Sequence, residues 1–154
     1  MARPSDRALA PDEARPWRFY RTARGRDPVR SYVDGLSRGD QNAVQARLNL
    51  TARRQSPVTR VRGDIFAVTS RRHGRAHQIL FAYEGADKQV LLGLDAFALT
   101  TKRTPPVRLK AAQERLAVWR SRSMVRQLSN VKQRTGANQR LGVAPPTRTL
   151  GLGR

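Results

Sequence analysis

The sequence predicts an α+β fold: an N-terminal strand, a helical hairpin, an antiparallel β-sheet meander and a C-terminal helix. Three observations predict it. Apolar residues recur at helical spacing in two early segments. The middle of the chain alternates in strand fashion between turn residues. Helical spacing then returns after Thr104-Pro105-Pro106.

Each element has its own signal. Trp17-Arg18-Phe19-Tyr20-Arg21 is short, aromatic and partly alternating, which suits a first strand. Asp27-Pro28 is a helix start, with Asp as N-cap and Pro in the first turn. Val29, Tyr32, Val33 and Leu36 then form one apolar stripe, so Tyr32 reads as core. Gly39-Asp40 opens a second helix that buries Ala43, Val44 and Leu48 and ends at Gln55-Ser56-Pro57. Strands follow at 59–62, 65–71, 76–83 and 89–97, punctuated by Gly63-Asp64, Arg71–Arg75 and Glu84–Asp87. The run Val90-Leu91-Leu92 with Leu94 marks a strand covered on both faces. Val107, Leu109, Ala112, Leu116 and Trp119 give the last helix an apolar side. The two early helices are expected on one face of the sheet, with the other face partly open.

The chain divides into a flexible arm at 1–16, a folded domain at 17–120 and a basic, flexible tail at 121–154. Of 154 residues, 31 are Lys or Arg and 11 are Asp or Glu, a formal charge of +20. The arm is neutral, the domain strongly basic, and the tail carries no acid at all. Such an excess points to a polyanionic partner through phosphate contact and counterion release. Most of the basic residues are Arg, whose planar fork pairs bidentately with phosphate. An acidic protein is the other physical possibility.

Other classes are excluded. With no cysteine there is no disulfide, thiolate zinc site or cysteine nucleophile. Two histidines, His73 and His77, do not make a histidine-rich metal site. No glycine pattern builds a P-loop and no carboxylate cluster suggests a two-metal nuclease. No cofactor is expected. No apolar run approaches the roughly 18 residues of a membrane span, and residues 1–16 lack the apolar stretch of a signal peptide. The expectation is a soluble, cytoplasmic protein.

The candidate site lies between Arg60 and His77. Arg60, Arg62, Arg71, Arg72, His73, Arg75 and His77 fall in that stretch, and on neighbouring strands they would share one surface. Lys102 and Arg103 add charge just before the last helix, where backbone N–H groups favour anions. RNA is cleaved without metal when its 2′-hydroxyl attacks the adjacent phosphorus. That needs proton transfer and cations around the phosphate. His77 is the candidate acid or base, with Arg71 and Arg75 as its catalytic cations. Arg60, Arg62, Arg72, His73, Lys102 and Arg103 are candidate phosphate binders. Asp95, alone in an apolar strand, is either solvated or paired with an arginine.

Several strings, in order, carry a resemblance. They are Trp17-Arg18-Phe19-Tyr20, Asp27-Pro28-Val29-Arg30-Ser31-Tyr32-Val33, Val61-Arg62-Gly63-Asp64-Ile65-Phe66 and Ile79-Leu80-Phe81-Ala82-Tyr83. Last come Leu94-Asp95-Ala96-Phe97 and Lys102-Arg103-Thr104-Pro105. Together they resemble the phage-derived HigB/RelE-type toxins of bacterial type II toxin–antitoxin modules, over roughly Trp17 to Trp119. The resemblance implies a microbial-RNase-like α+β toxin that cuts mRNA on the translating ribosome and is neutralised by a cognate antitoxin, expected to be a small helix-turn-helix protein. Arg62, Lys102 and Arg103 match the family's basic positions. Where the family has Glu-Leu-Arg-like and Tyr-Arg-like strand segments, this chain reads Ala67-Val68-Thr69 and His77-Gln78. A non-catalytic protein that binds RNA or DNA by charge, and a gyrase-directed toxin, are the alternatives.

Overall fold

In the computed structural model, backbone is described for residues 13–151 and side chains through residue 133. The elements are β1 (Trp17–Phe19), α1 (Pro28–Asp34), α2 (Arg38–Ala52), β2 (Thr59–Arg62), β3 (Ile65–Arg72), β4 (Arg75–Glu84), β5 (Val90–Ala98) and α3 (Pro106–Gly151). This is the α+β order read from the sequence, with strand and helix ends displaced by a residue or two.

Local chemistry explains the boundaries. Asp27 caps α1 by accepting from the Arg30 amide, with Pro28 in the first turn. Ser37, not Gly39, caps α2 and accepts from the Asp40 amide. The β3–β4 hairpin closes through His73-Gly74, at φ 51° and 75°. Two successive left-handed residues are what a tight hairpin turn of matching twist requires.

The five strands form one sheet in the order β1-β5-β4-β3-β2. The meander is antiparallel, and β1 adds in parallel to β5 through Trp17↔Leu91, Arg18↔Leu92 and Phe19↔Gly93. Gly93 permits this closure, since a Cβ there would sit 2.6 Å from the Phe19 ring. Beyond Gly93, β1 no longer covers β5.

α1 packs over β5 and α2 over β3. Between these helices and the sheet lies a core of Val29, Val44, Leu48, Val68, Ile79, Phe81 and Leu91. The second face, expected to be partly open, is covered instead along β4 and β5. Leu80, Ala82, Leu92 and Leu94 are fully buried, as is Ala112 of α3. Thr104 donates to Gln78 Oε1 and Arg115 to the Leu94 carbonyl, which fix the start of α3 on that face. The apolar run of β5 demands this cover, because a strand apolar on both sides loses the benefit of burial if one side meets water.

The chain divides into compact units at residues 1–116 and 117–154. Within the second, Met124, Val125, Leu128 and Val131 are exposed on α3. The expected boundary at residue 120 falls inside α3, whose backbone is helical through Gly151. Residues 1–12 of the expected arm and 152–154 of the expected tail lie outside the described residues. The end of the arm is tied down: the Arg15 amide donates to the Ala52 carbonyl, and the Pro16 carbonyl accepts from Leu91. No helix among the described residues is long and apolar enough to cross a membrane.

Candidate active site

The predicted basic residues fall into separate groups. Arg71, Arg72, His73 and Arg75 sit at the β3–β4 tip, where Arg72 pairs with Arg75 and Arg71 with Ala76. Alternation turns Arg71 to the opposite face from Arg72. Lys102 and Arg103 lie exposed in the loop after β5, near the same sheet end, since the Leu99 amide donates to the Ala76 carbonyl. Arg60 and Arg62 are elsewhere. They pair with Phe66 and Ile65 near the start of β3, roughly 20 Å of strand away from Arg72. The Arg60 guanidinium lies over the Phe66 ring at 5.1 Å.

At the tip, charge converges on one residue that the sequence did not single out for chemistry. Asp40, in the first turn of α2, is buried. Its Oδ1 accepts from Arg72 Nη1 at 2.9 Å. Its Oδ2 faces His77 Nε2 at 3.2 Å and Arg75 Nε at 3.4 Å. Gly39 makes room for this: a Cβ there would fall 2.4 Å from the Arg72 guanidinium carbon and displace it. The Arg72 hydrogen bond, followed by that of His77 and the charge of Arg75, holds the Asp40 carboxyl below the ordinary aspartate range, against the opposing effect of burial.

His77 is buried, with a side chain only 5% exposed, and both ring nitrogens are engaged. Nδ1 lies 2.6 Å from the Tyr32 hydroxyl. An ionised Asp40 accepts only, so Nε2 carries a proton and donates to it. A neutral His77 then has Nδ1 free to accept from the Tyr32 O–H. An imidazolium donates at both ends. The result is a hydrogen-bonded chain, Tyr32–His77–Asp40, drawn from α1, β4 and α2. Burial first, then the Asp40 charge, push the Tyr32 phenol above its ordinary value, while Arg108 opposes them. Tyr32 is therefore a protonated phenol at neutral pH.

Tyr32 also lines a cleft of about 360 Å³. Arg26, Arg108 and Arg115 line it with Asp95. It lies beside the part of β5 that β1 leaves uncovered. Asp95 is buried, and it is the arginine-paired alternative that holds: Arg115 Nη1 stands 3.2 Å from Oδ1 and Arg108 Nη1 3.6 Å from Oδ2. The traceable signals were the lone acid in an apolar strand and the seven-residue spacing of Arg108 and Arg115, which places both on one helix face. Among the described residues, no group of three or more His, Cys, Asp or Glu side chains is placed to hold a metal ion.

Asp40 yields a prediction whose sign follows from linkage. Its carboxyl ionises at lower pH in the folded chain than in the unfolded one, where the value is about 3.9. The stabilisation is fully present above that value and is lost as pH falls through the lowered native value. Asp40→Asn is thus expected to be less stable than wild type at neutral pH, with the gap closing as pH drops below about 4. Urea midpoints of both proteins across that range check it. A gap that stays constant on acidification counts against the ion cluster.

No protein-family model matches the chain, and no curated protein matches it significantly.

Proposed function

We propose that this protein is an RNA-directed toxin of the HigB/RelE type, a metal-independent endoribonuclease that acts on ribosome-bound mRNA and is held in check by an antitoxin. One observation carries the reading. Tyr32 lines an arginine-rich cleft and shares a 2.6 Å hydrogen bond with His77, whose other nitrogen is fixed by Asp40. That is a proton-transfer couple beside cations, on an α+β scaffold in a chain of charge +20.

The chemistry follows from those groups. The RNA 2′-hydroxyl attacks the neighbouring phosphorus and loses its proton to solvent. The bond from phosphorus to the 5′-oxygen breaks. Tyr32 gives its proton to that oxygen, and the imidazolium of His77 replaces it through Nδ1. Asp40 keeps the ring oriented through Nε2. The arginines of the cleft offset the charge that gathers on the phosphorane. The exposed tip residues Arg71 and Arg75, with Lys102 and Arg103, track the flanking backbone by charge. The ribosome supplies a polyanionic surface to which so basic a protein docks.

Tightly controlled induction of the protein tests this. The expected result is growth arrest with new mRNA 5′ ends mapped by primer extension on ribosome-associated transcripts. Normal growth with intact transcripts overturns the enzyme reading. RNA or DNA binding without cleavage, steeply weakened by salt, would instead favour the non-catalytic alternative.

A further inference from the structure

We infer that the cleft of Arg26, Arg108, Arg115, Tyr32 and Asp95 is a ribonucleotide site that reads a phosphate together with its neighbouring 2′-hydroxyl. The choice of ligand rests on the RNA-directed function proposed above, but the geometry has its own logic.

The cations come first. Three arginines and one aspartate line the cleft, so its local charge is about +2, which suits a phosphate ester. Two of the arginines are already aimed. Arg115 donates to the Leu94 carbonyl at 2.8 Å while pairing with Asp95. Arg108 lies over the Phe97 ring at 5.3 Å and beside Asp95. A guanidinium held by an aromatic face and a carboxylate loses little freedom when an anion arrives. Arg26 is exposed at the cleft. The cleft volume of about 360 Å³ lies in the range of ~300–1,000 Å³ typical of small-molecule sites.

The second observation is independent of charge. Asp95 is 3% exposed, and its Oδ1 accepts from the Ala96 amide. Its Oδ2 accepts no hydrogen bond among the described residues. A buried carboxylate oxygen without a donor is costly, and the nearest cation, Arg108 Nη1, stops at 3.6 Å. The oxygen needs a donor that arrives with an anion. A ribose 2′-hydroxyl next to a 3′-phosphate is such a donor. Inorganic phosphate has no ribose hydroxyl set beside its charge, and a deoxyribose lacks that hydroxyl. The 2′-hydroxyl is also the group by which a protein tells RNA from DNA.

Calorimetric titration of the full chain at low salt tests the site, with adenosine 3′-monophosphate, its 2′-deoxy analogue and inorganic phosphate as probes. The ribonucleotide is expected to bind about tenfold more tightly than the deoxy form, the worth of one hydrogen bond to a charged acceptor. Arg108→Gln is expected to weaken both nucleotides about tenfold by removing a charge-assisted contact. Asp95→Asn is expected to abolish the ribose preference, because an amide N–H₂ replaces the acceptor. Lys88→Asn, in the turn before β5 and outside the cleft lining, is expected to change neither affinity. Equal affinities of the wild type for ribo and deoxy forms, or an unchanged Arg108→Gln, overturn the proposal. The wild-type comparison decides even if Asp95→Asn does not fold. Nucleotide binding in a protein that cleaves no mRNA would remove the enzyme reading and leave this site standing. Cleavage by a protein without the ribose preference would do the reverse.

Discussion

His77→Gln is expected to lower single-turnover RNA cleavage by ~10²–10⁴-fold, the usual contribution of a positioned acid or base, while leaving the fold intact. Glutamine retains an amide that reaches toward Asp40 and an oxygen that can accept from Tyr32, so the packing around β4 and α2 is preserved. It cannot take up and pass on a proton as an imidazole does. The His77 ring has only one route to substrate, because it is buried and bonded at both nitrogens. That route is the phenol. Tyr32→Phe is therefore expected to match His77→Gln in rate loss, and the double variant to be no worse than either single one, since groups that act as one unit are not additive. Far-ultraviolet circular dichroism establishes that the variants fold, and cleavage of ribosome-bound transcript measures the rate. Additive losses in the double variant would mean that the two side chains do not share a proton path.

Much of the fold was legible because its signals are local. Turn residues at 63–64 and 73–74, a Pro after an Asp at 27–28, and strand alternation each act within a few residues. The convergence of the basic residues was not correctly legible from density alone, and hairpin geometry shows why. β2 and β3 join at Gly63-Asp64, whereas β3 and β4 join at His73-Gly74. Consecutive hairpin turns lie at opposite ends of a meander, so Arg60 and Arg62 stand far from Arg72 and Arg75 despite their closeness in sequence.

Three features needed the tertiary structure. Asp40 reads as an ordinary acid in a first helical turn, where the helix dipole favours it. Only folding shows that it is also the counter-ion of Arg72 and His77, 32 and 37 residues further on. Tyr32 lies on an apolar stripe and packs against the core, and its hydroxyl also finds His77. Asp95 depends on a bulge. Phe81 pairs with Gly93 and Leu80 with Asp95, which leaves Leu94 unpaired. Strict alternation from Leu91 would have turned Asp95 toward α1 and α2. The extra residue sends it to the α3 face, where Arg108 and Arg115 meet it.

Phe81→Ala is expected to destabilise the protein by ~3–5 kcal/mol, the largest stability effect of any single truncation in the sheet. The ring is fully buried at the middle of β4. It meets Trp17 edge-on at 5.3 Å, Tyr83 at 5.4 Å and Phe66 at 6.0 Å. The neighbours cannot close the resulting void. Trp17 is fixed by its indole N–H to the Leu48 carbonyl, and the backbones of Phe66 and Phe81 are paired in the ladder. Both the transfer loss and the cavity cost therefore apply. A domain of this size has only about 5–15 kcal/mol of stability in total, and each kcal/mol moves the melting temperature by roughly 4 °C. The variant is expected to melt well over 10 °C below wild type. Tyr83→Ala, at a half-buried position on the same face, is expected to cost less than half as much, because water reaches part of that ring already. Thermal unfolding of the two variants side by side measures the difference. Equal losses would show that the aromatic cluster collapses around a missing ring, and that β4 does not need Phe81 to hold His77 in register with α1 and α2.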